Sequence, residues 1–138
     1  MLKLEIGEHN YSESNNVTFS CQYHIVFCTK YRRNVLDERV QEKLSELLYH
    51  YEEPFKYKIL YLDIKLDQVH MIIQASADTA ISRLIGGVKK ATVRPLVDEH
   101  PHITVGMPNL WTRYSFIATC GTVTMHDINS FVDKQSGV

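Results

Sequence analysis

A chain of 138 residues with 44% hydrophobic content is sized for one compact domain around a single core. Lys and Arg number 15 against 16 Asp and Glu, for a formal net charge of −1, so bulk charge names no partner and any nucleic-acid surface must be a local basic patch. No window approaches the roughly 20 apolar residues of a membrane span, and the opening "MLKLEIGEHN" lacks an apolar signal core, so the expectation is a cytoplasmic protein without membrane contact. Cys21, Cys28 and Cys120 form an odd set without paired spacing, which favours reduced thiols over a disulfide framework or a zinc site.

Residues 1–18 are polar, with "SESNN" inside, and read as an N-terminal arm; 19–138 read as one domain. "FSCQYHIVFC", Phe19 to Cys28, is rich in aromatic and β-branched residues and predicts a central strand. In "LDERVQEKLSELLYHYEE" the helical spacing of Val40, Leu44, Leu47, Leu48 and Tyr51 predicts a helix, with Pro54 ending it. "FKYKILYLDIKLD" alternates, placing Tyr57, Ile59, Tyr61 and Asp63 on one side, and Lys65–Asp67 turns it into "QVHMIIQAS" as a hairpin.

The next segment, "SADTAISRLIGGVKKATVRPLVDEH", predicts a second helix capped by Ser76 or Asp78, with Ile81, Leu84, Ile85 and Val88 as its apolar stripe. Gly86 and Gly87 weaken it by about 1 kcal/mol each relative to alanine, and Pro95 should kink or end it. A loop with Pro101, Gly106 and Pro108 leads to "LWTRYSFIATCG", a fourth strand closed by Gly121. "TMHDINSFVDKQ" then predicts a short helix opened by Thr124.

The order β-α-β-β-α-β-α places the chain in the α+β class. The expected architecture is a ferredoxin-like (RRM-like) four-stranded antiparallel sheet with helices on one face plus a C-terminal helix. RNA-recognition domains share that arrangement, but their glycine–aromatic box is missing from this sequence. The fold alone settles no function.

Alternation puts Gln68, His70 and Ile72 on one face of their strand. A His-x-His pair there would be a strong chelation signal; Gln-x-His is weaker, because an amide oxygen is a neutral, modest ligand. A structural or surface role for His70 is the competing reading. On the last helix Ile128, Phe131, Val132 and Gln135 share a face, which reads as a docking face with Gln135 as its polar member. The basic clusters are "TKYRRN" and the set Arg83, Lys89, Lys90 and Arg94, each of which reads equally as a solvated face.

"CQYHIVFCTKYRRNVL", "LDQVHMII", "NLWTRYSFIATCG" and "INSFVDKQ" resemble, in order and spacing, the landmarks of the single-tyrosine HUH transposases of the insertion-sequence 200/605 type. The resemblance covers Phe19 to Gln135. It implies ferredoxin-like homodimers that bind hairpins in single-stranded DNA, with first strands paired edge to edge and the last helix completing the partner's site. It also implies cleavage by a tyrosine on that helix, assisted by a divalent metal on two histidines and a helix-borne polar residue.

Carried over by position, His70 matches the second histidine and Gln135 the third ligand. Gln68 stands where the first histidine is expected, and Phe131 stands at the nucleophile position. The resemblance therefore implies Mg2+ or Mn2+, held weakly through Gln68. Lys30, Arg32 and Arg33 are expected on phosphates and Tyr31 on an extruded base. Arg83, Lys89, Lys90 and Arg94 match the family's hairpin-contacting helix.

Three functions follow. The first is a hairpin-binding transposase relative deficient in cleavage. The second is an active metal-dependent transposase with another nucleophile, Tyr114 by motif. The third is a non-catalytic ferredoxin-like interaction module.

Overall fold

The structure is a computed structural model that describes residues 12–14, 17–19, 21–76, 78–119 and 125–138. Ser12–Ser14 (β1) pairs antiparallel with Val17–Phe19 (β2) as a small hairpin. Part of the stretch read as an arm is therefore paired, and Phe19 lies outside the central strand. The main sheet comprises Gln22–Cys28 (β3), Tyr57–Ile64 (β4), Gln68–Ala75 (β5) and Phe116–Thr119 (β6). Its order is β4-β5-β3-β6 with every neighbour antiparallel, which is the expected α+β, ferredoxin-like arrangement. Because β3 bonds β5 on one side and β6 on the other over Tyr23–Val26, it offers a second copy no free edge there. The expected edge-to-edge pairing of first strands does not fit this register.

Two unequal layers cover the sheet. On one face Ile25, Phe27, Met71 and Ile73 form the main core with Glu38–His50 (α1) and Ile81–Glu99 (α3). On the other, Val26 and Cys28 meet Ile128 and Val132 of Met125–Lys134 (α4), with Phe116, Ala118 and Phe131 around them. Burying Ile128 and Val132 contributes roughly 1.5–3 kcal/mol per side chain, which is what seats α4.

Asp37 caps α1 by accepting from the backbone N–H of Arg39 and Val40 at 3.1 Å each. The helix closes at His50, and Pro54 does not end it. That proline lies in the first turn of a short helix, Glu52–Phe55 (α2), where a missing N–H costs no intrahelical bond. Pro95 likewise leaves α3 unbroken through Glu99. The carbonyl it deprives of a donor, that of Ala91, accepts the Tyr51 hydroxyl at 2.8 Å. α3 begins after Ala80 with no side-chain cap; Ser76 and Asp78, expected as caps, hydrogen-bond each other. Gly87 passes so close to α2 that a Cβ there would stand 2.9 Å from Phe55 Cε1.

The pairing of β4 with β5 shifts register between Ile59 and Tyr61. This bulge at Leu60 overturns the expected single face: Tyr57 and Ile59 pack in the main core, while Tyr61 and Asp63 pair with Ile72 and His70 on the α4 side. The fourth strand is also shorter than expected. Leu110–Ser115 is irregular, anchored by Trp111, which bridges Thr29, meets Phe27 edge-on at 4.8 Å and donates from Nε1 to Thr92 Oγ1 at 2.9 Å. The expected boundaries at Gly121 and Thr124 lie outside the described residues.

Candidate nucleic-acid interface and metal position

A cleft of about 1080 Å³ opens between the turn Lys30–Arg32, α3 and the irregular segment before β6. Its polar lining brings the two basic clusters of the sequence together: Lys30 and Tyr31 from the turn, Lys90 and Arg94 from α3. Arg113 and Tyr114, which sequence reasoning did not place at a DNA surface, complete it.

Local backbone explains the turn. Tyr31 and Arg32 adopt φ of 57° and 52°, a left-handed conformation that costs a non-glycine residue roughly 1–3 kcal/mol. Fixed partners offset that strain. Lys30 donates its N–H to Leu110 O at 2.7 Å, and Tyr31 donates to Val138 O at 2.9 Å. The Tyr31 ring is left 52% exposed with Lys30 Nζ 5.0 Å from its centroid. Tyr114, 47% exposed, carries Arg113 at 5.4 Å over its ring. Two solvent-facing aromatic rings with cations beside them match what stacked bases and phosphates require.

The remaining basic residues serve elsewhere. Arg32 pairs with Asp67 at 2.9 Å and reaches Asp133 at 3.6 Å, tying the turn to the β4–β5 connection and to α4. Arg33 donates to Val105 O at 3.3 Å. Lys89 faces inward rather than lying on an exposed stripe. Its Nζ donates to Thr112 O at 2.8 Å, Tyr114 O at 3.0 Å and Ser115 Oγ at 3.0 Å, and burial brings its ammonium down to about 8. With its three acceptors in place it stays charged at neutral pH and moors the segment carrying Arg113 and Tyr114. Arg83 is exposed on α3 seven residues before Lys90, about 10 Å along the helix at ~1.5 Å per residue, and lies outside the cleft lining.

The second face carries the expected metal position. Gln68 and His70 share the α4 side of β5, opposite Cys28 and Val26. Gln135 belongs to a 3-10 turn after α4, where its Oε1 accepts Thr112 Oγ1 at 2.9 Å. The Thr112 N–H in turn donates to Cys28 O at 3.0 Å, so these contacts place Gln135 toward the Gln68 end of the face. Phe131 packs on Phe116 at 5.7 Å between centroids. Phe116 lies across Val26 from His70, two strands away, or about 10 Å at ~4.8 Å per strand.

One partner of His70 was missed in the sequence. His24 of β3 lies diagonally across from it, with Nδ1 3.4 Å from His70 Nε2 and the rings inclined at 26°. The two side chains are 2% and 5% exposed. Burial lowers both imidazoles; His70, which also feels His24 and is only partly compensated by Asp63, falls to about 4. Both are therefore neutral near pH 7, the form that ligates metals. Tyr61 meets His70 edge-on at 5.5 Å.

Among the described residues no three His, Cys, Asp or Glu side chains converge. Gln68, His70 and Gln135 together offer one imidazole and two neutral amide oxygens, without the carboxylate that Mg2+ usually takes. The imidazole pair fits a divalent cation better than the Gln-x-His set does.

Comparison with known proteins identifies the family and the fold. The family model "Transposase IS200 like" matches residues 17–135. The ISDra2 transposase TnpA of Deinococcus radiodurans is 24% identical over 119 residues, covering 85% of each chain. The transposase for insertion sequence element IS200 of Salmonella typhimurium is 25% identical over 108 residues, covering 77% of this chain and 71% of its own. In fold, the chain is similar to a crystal structure of a Deinococcus radiodurans R1 protein assigned as a transposase, with a TM-score of 0.85 at 22% identity over 92% of this chain and 99% of that one. A REP-associated tyrosine transposase bound to a REP hairpin shares the fold at a TM-score of 0.56 and 15% identity, over 92% and 76% of the respective chains. The chain belongs to the IS200-like transposase family.

Proposed function

We propose that the protein binds hairpin-bearing single-stranded DNA of insertion-sequence ends and, as written, does not cleave it. The observation that carries binding is the cleft that gathers Lys30, Tyr31, Lys90, Arg94, Arg113 and Tyr114 from three separate segments. Cations along its walls meet backbone phosphates, and the two exposed rings meet unpaired bases. A tyrosine transposase of similar fold bound to a REP hairpin supports the ligand class. What argues against cleavage is Phe131 at the nucleophile position. A phenyl ring has no oxygen to attack phosphorus, so a bound divalent ion, Mg2+ or Mn2+ in the family, would polarise a phosphate with no partner for the in-line step.

The second reading, cleavage through another residue, draws support from Tyr61 rather than Tyr114. Tyr114 belongs to the cleft, whereas Tyr61 stands against His70. Its phenol is raised by burial and by Asp63, which opposes the phenolate an attack needs.

Anisotropy titration of a labelled single strand with and without a hairpin tests the first reading. The expected result is tighter, strongly salt-dependent binding of the hairpin strand without an SDS-stable adduct. An adduct lost in Tyr61→Phe would establish the second reading, and no binding at all would leave a plain interaction module. The homodimer is part of the same proposal, and chromatography with light scattering, with and without DNA, checks it.

A further inference from the structure

We propose that His24 and His70 together form a metal site for a tetrahedrally coordinated late first-row cation such as Zn2+ or Co2+, with His24 in the role that position 68 no longer fills. The proposal rests on the family reading only for expecting a metal near His70. The choice of partner comes from geometry. His24 Nδ1 and His70 Nε2 stand 3.4 Å apart. With metal–nitrogen bonds of ~2.1 Å that separation subtends about 108° at the ion, close to the tetrahedral angle. An octahedral ion at the same bond length would need nitrogens roughly 3.0 Å apart, so Mg2+ is the worse fit.

Rigidity supports the pair as well. The two residues sit on the two central, fully paired strands, and both are almost completely buried. Each neutral ring carries one proton, so the ion requires only the tautomers with that proton on His24 Nε2 and His70 Nδ1, which leaves both facing nitrogens free to ligate. Two imidazoles are borderline-soft donors that favour Co2+ and Zn2+ over Mg2+. Asp63, opposite His70 on β4, adds a favourable negative charge, and Lys65 works against it. The other two coordination positions need ligands from outside the pair, water or a phosphate oxygen, and with the rings 2% and 5% exposed these enter only as neighbouring side chains move aside. The competing reading is a proton-bridged pair that merely fills the core between β3, β5 and α4.

Co2+ titration of the purified, metal-stripped chain separates the two readings. The proposal expects visible d–d bands of tetrahedral intensity saturating at one ion per chain. His24→Gln and His70→Gln should each weaken binding at least tenfold, while Gln68→Ala stays within twofold. Because a core variant can fail by misfolding, the unaltered chain supplies the second readout: on Zn2+ addition the ring nitrogens of His24 and His70 should shift together in 15N NMR. Absence of bands, binding that survives His24→Gln, or ring shifts confined to His100 and His102, whose rings lie 6.0 Å apart just beyond α3, would each overturn the proposal. Hairpin binding is measured separately in EDTA, so loss of the metal claim leaves the DNA reading standing, and the reverse.

Discussion

On the proposed function, the cleft beside α3 and the α4 side of the sheet carry the two halves of a transposase's task, under very different tolerances. The cleft would bind with many approximate contacts: besides buried Lys89 and Trp111, four cations and two aromatic rings line it from three segments, each replaceable at modest cost. The opposite face depends on a few atoms. There, on the proposed reading, Gln68 stands where a histidine is expected and Phe131 where the attacking oxygen is expected, while His24 offers a different imidazole 3.4 Å from His70. Recognition of a charged polymer degrades gradually, whereas an in-line displacement stops with the loss of one atom.

Reversing charge in the cleft should separate the halves most sharply. Lys90→Glu with Arg94→Glu is expected to weaken hairpin affinity by about a hundredfold near 0.1 M salt and flatten the salt slope by roughly two units. Anisotropy checks the affinity, and Co2+ titration should be unchanged. Equal loss of metal binding would mean that the two regions are not independent.

Next in size is Lys89→Met. It removes the donor to the buried Thr112 carbonyl and to the part-buried Tyr114 carbonyl and Ser115 hydroxyl, and should cost about 2–4 kcal/mol in denaturant unfolding. Hairpin affinity should fall in addition, because the segment bearing Arg113 and Tyr114 loses its mooring. A fully exposed lysine would show neither effect.

Smaller still is Tyr51→Phe, which removes the hydroxyl on the Ala91 carbonyl that Pro95 leaves without a helical donor. A loss of about 1 kcal/mol in urea unfolding is expected, with DNA binding intact.

At neutral pH the smallest effect concerns Cys28, on the sealed side of the comparison, whose contribution changes only in alkali. Burial, with Asp67 nearby, pushes its thiol to about 12 from a usual 9.0. A thiol raised in the fold contributes stability that is complete below pH 9 and is lost between pH 9 and 12, as the unfolded chain ionises first. A thiol reagent at pH 8 should label Cys28 only on unfolding, while half-buried Cys21 reacts sooner.

Which parts of this were legible beforehand follows the same division. Val40, Leu44, Leu47 and Leu48 announce α1, and the β-branched and aromatic run before Cys28 announces β3, because local periodicity carries both. Features that depend on register were invisible. Nothing in "KYKILYLDIK" marks Leu60 as the bulge that re-aims Tyr61 and Asp63, and nothing links His24 to His70 across 46 positions until the β3–β5 register is known.

Lys89 failed for a similar reason. Lys89 and Lys90 are adjacent and chemically alike, yet about 100° of helical rotation turns one inward to the buried wall of the cleft and leaves the other exposed. Arg113 had a usable signal, a cation beside an aromatic in a segment too irregular for a strand. Residue type alone makes Pro54 an end and Pro95 a kink or an end, because their tolerance depends on a first-turn position and on a hydroxyl from another helix.

Incubating the unaltered chain with a 5′-labelled, hairpin-bearing single strand and Mn2+, then resolving the products in SDS, tests the central claim most directly. The account predicts strand that is retained in native gels yet leaves no covalent protein–DNA band, and a band that emerges when Phe131→Tyr is combined with Gln68→His. A phospho-linked product from the chain as written would contradict it.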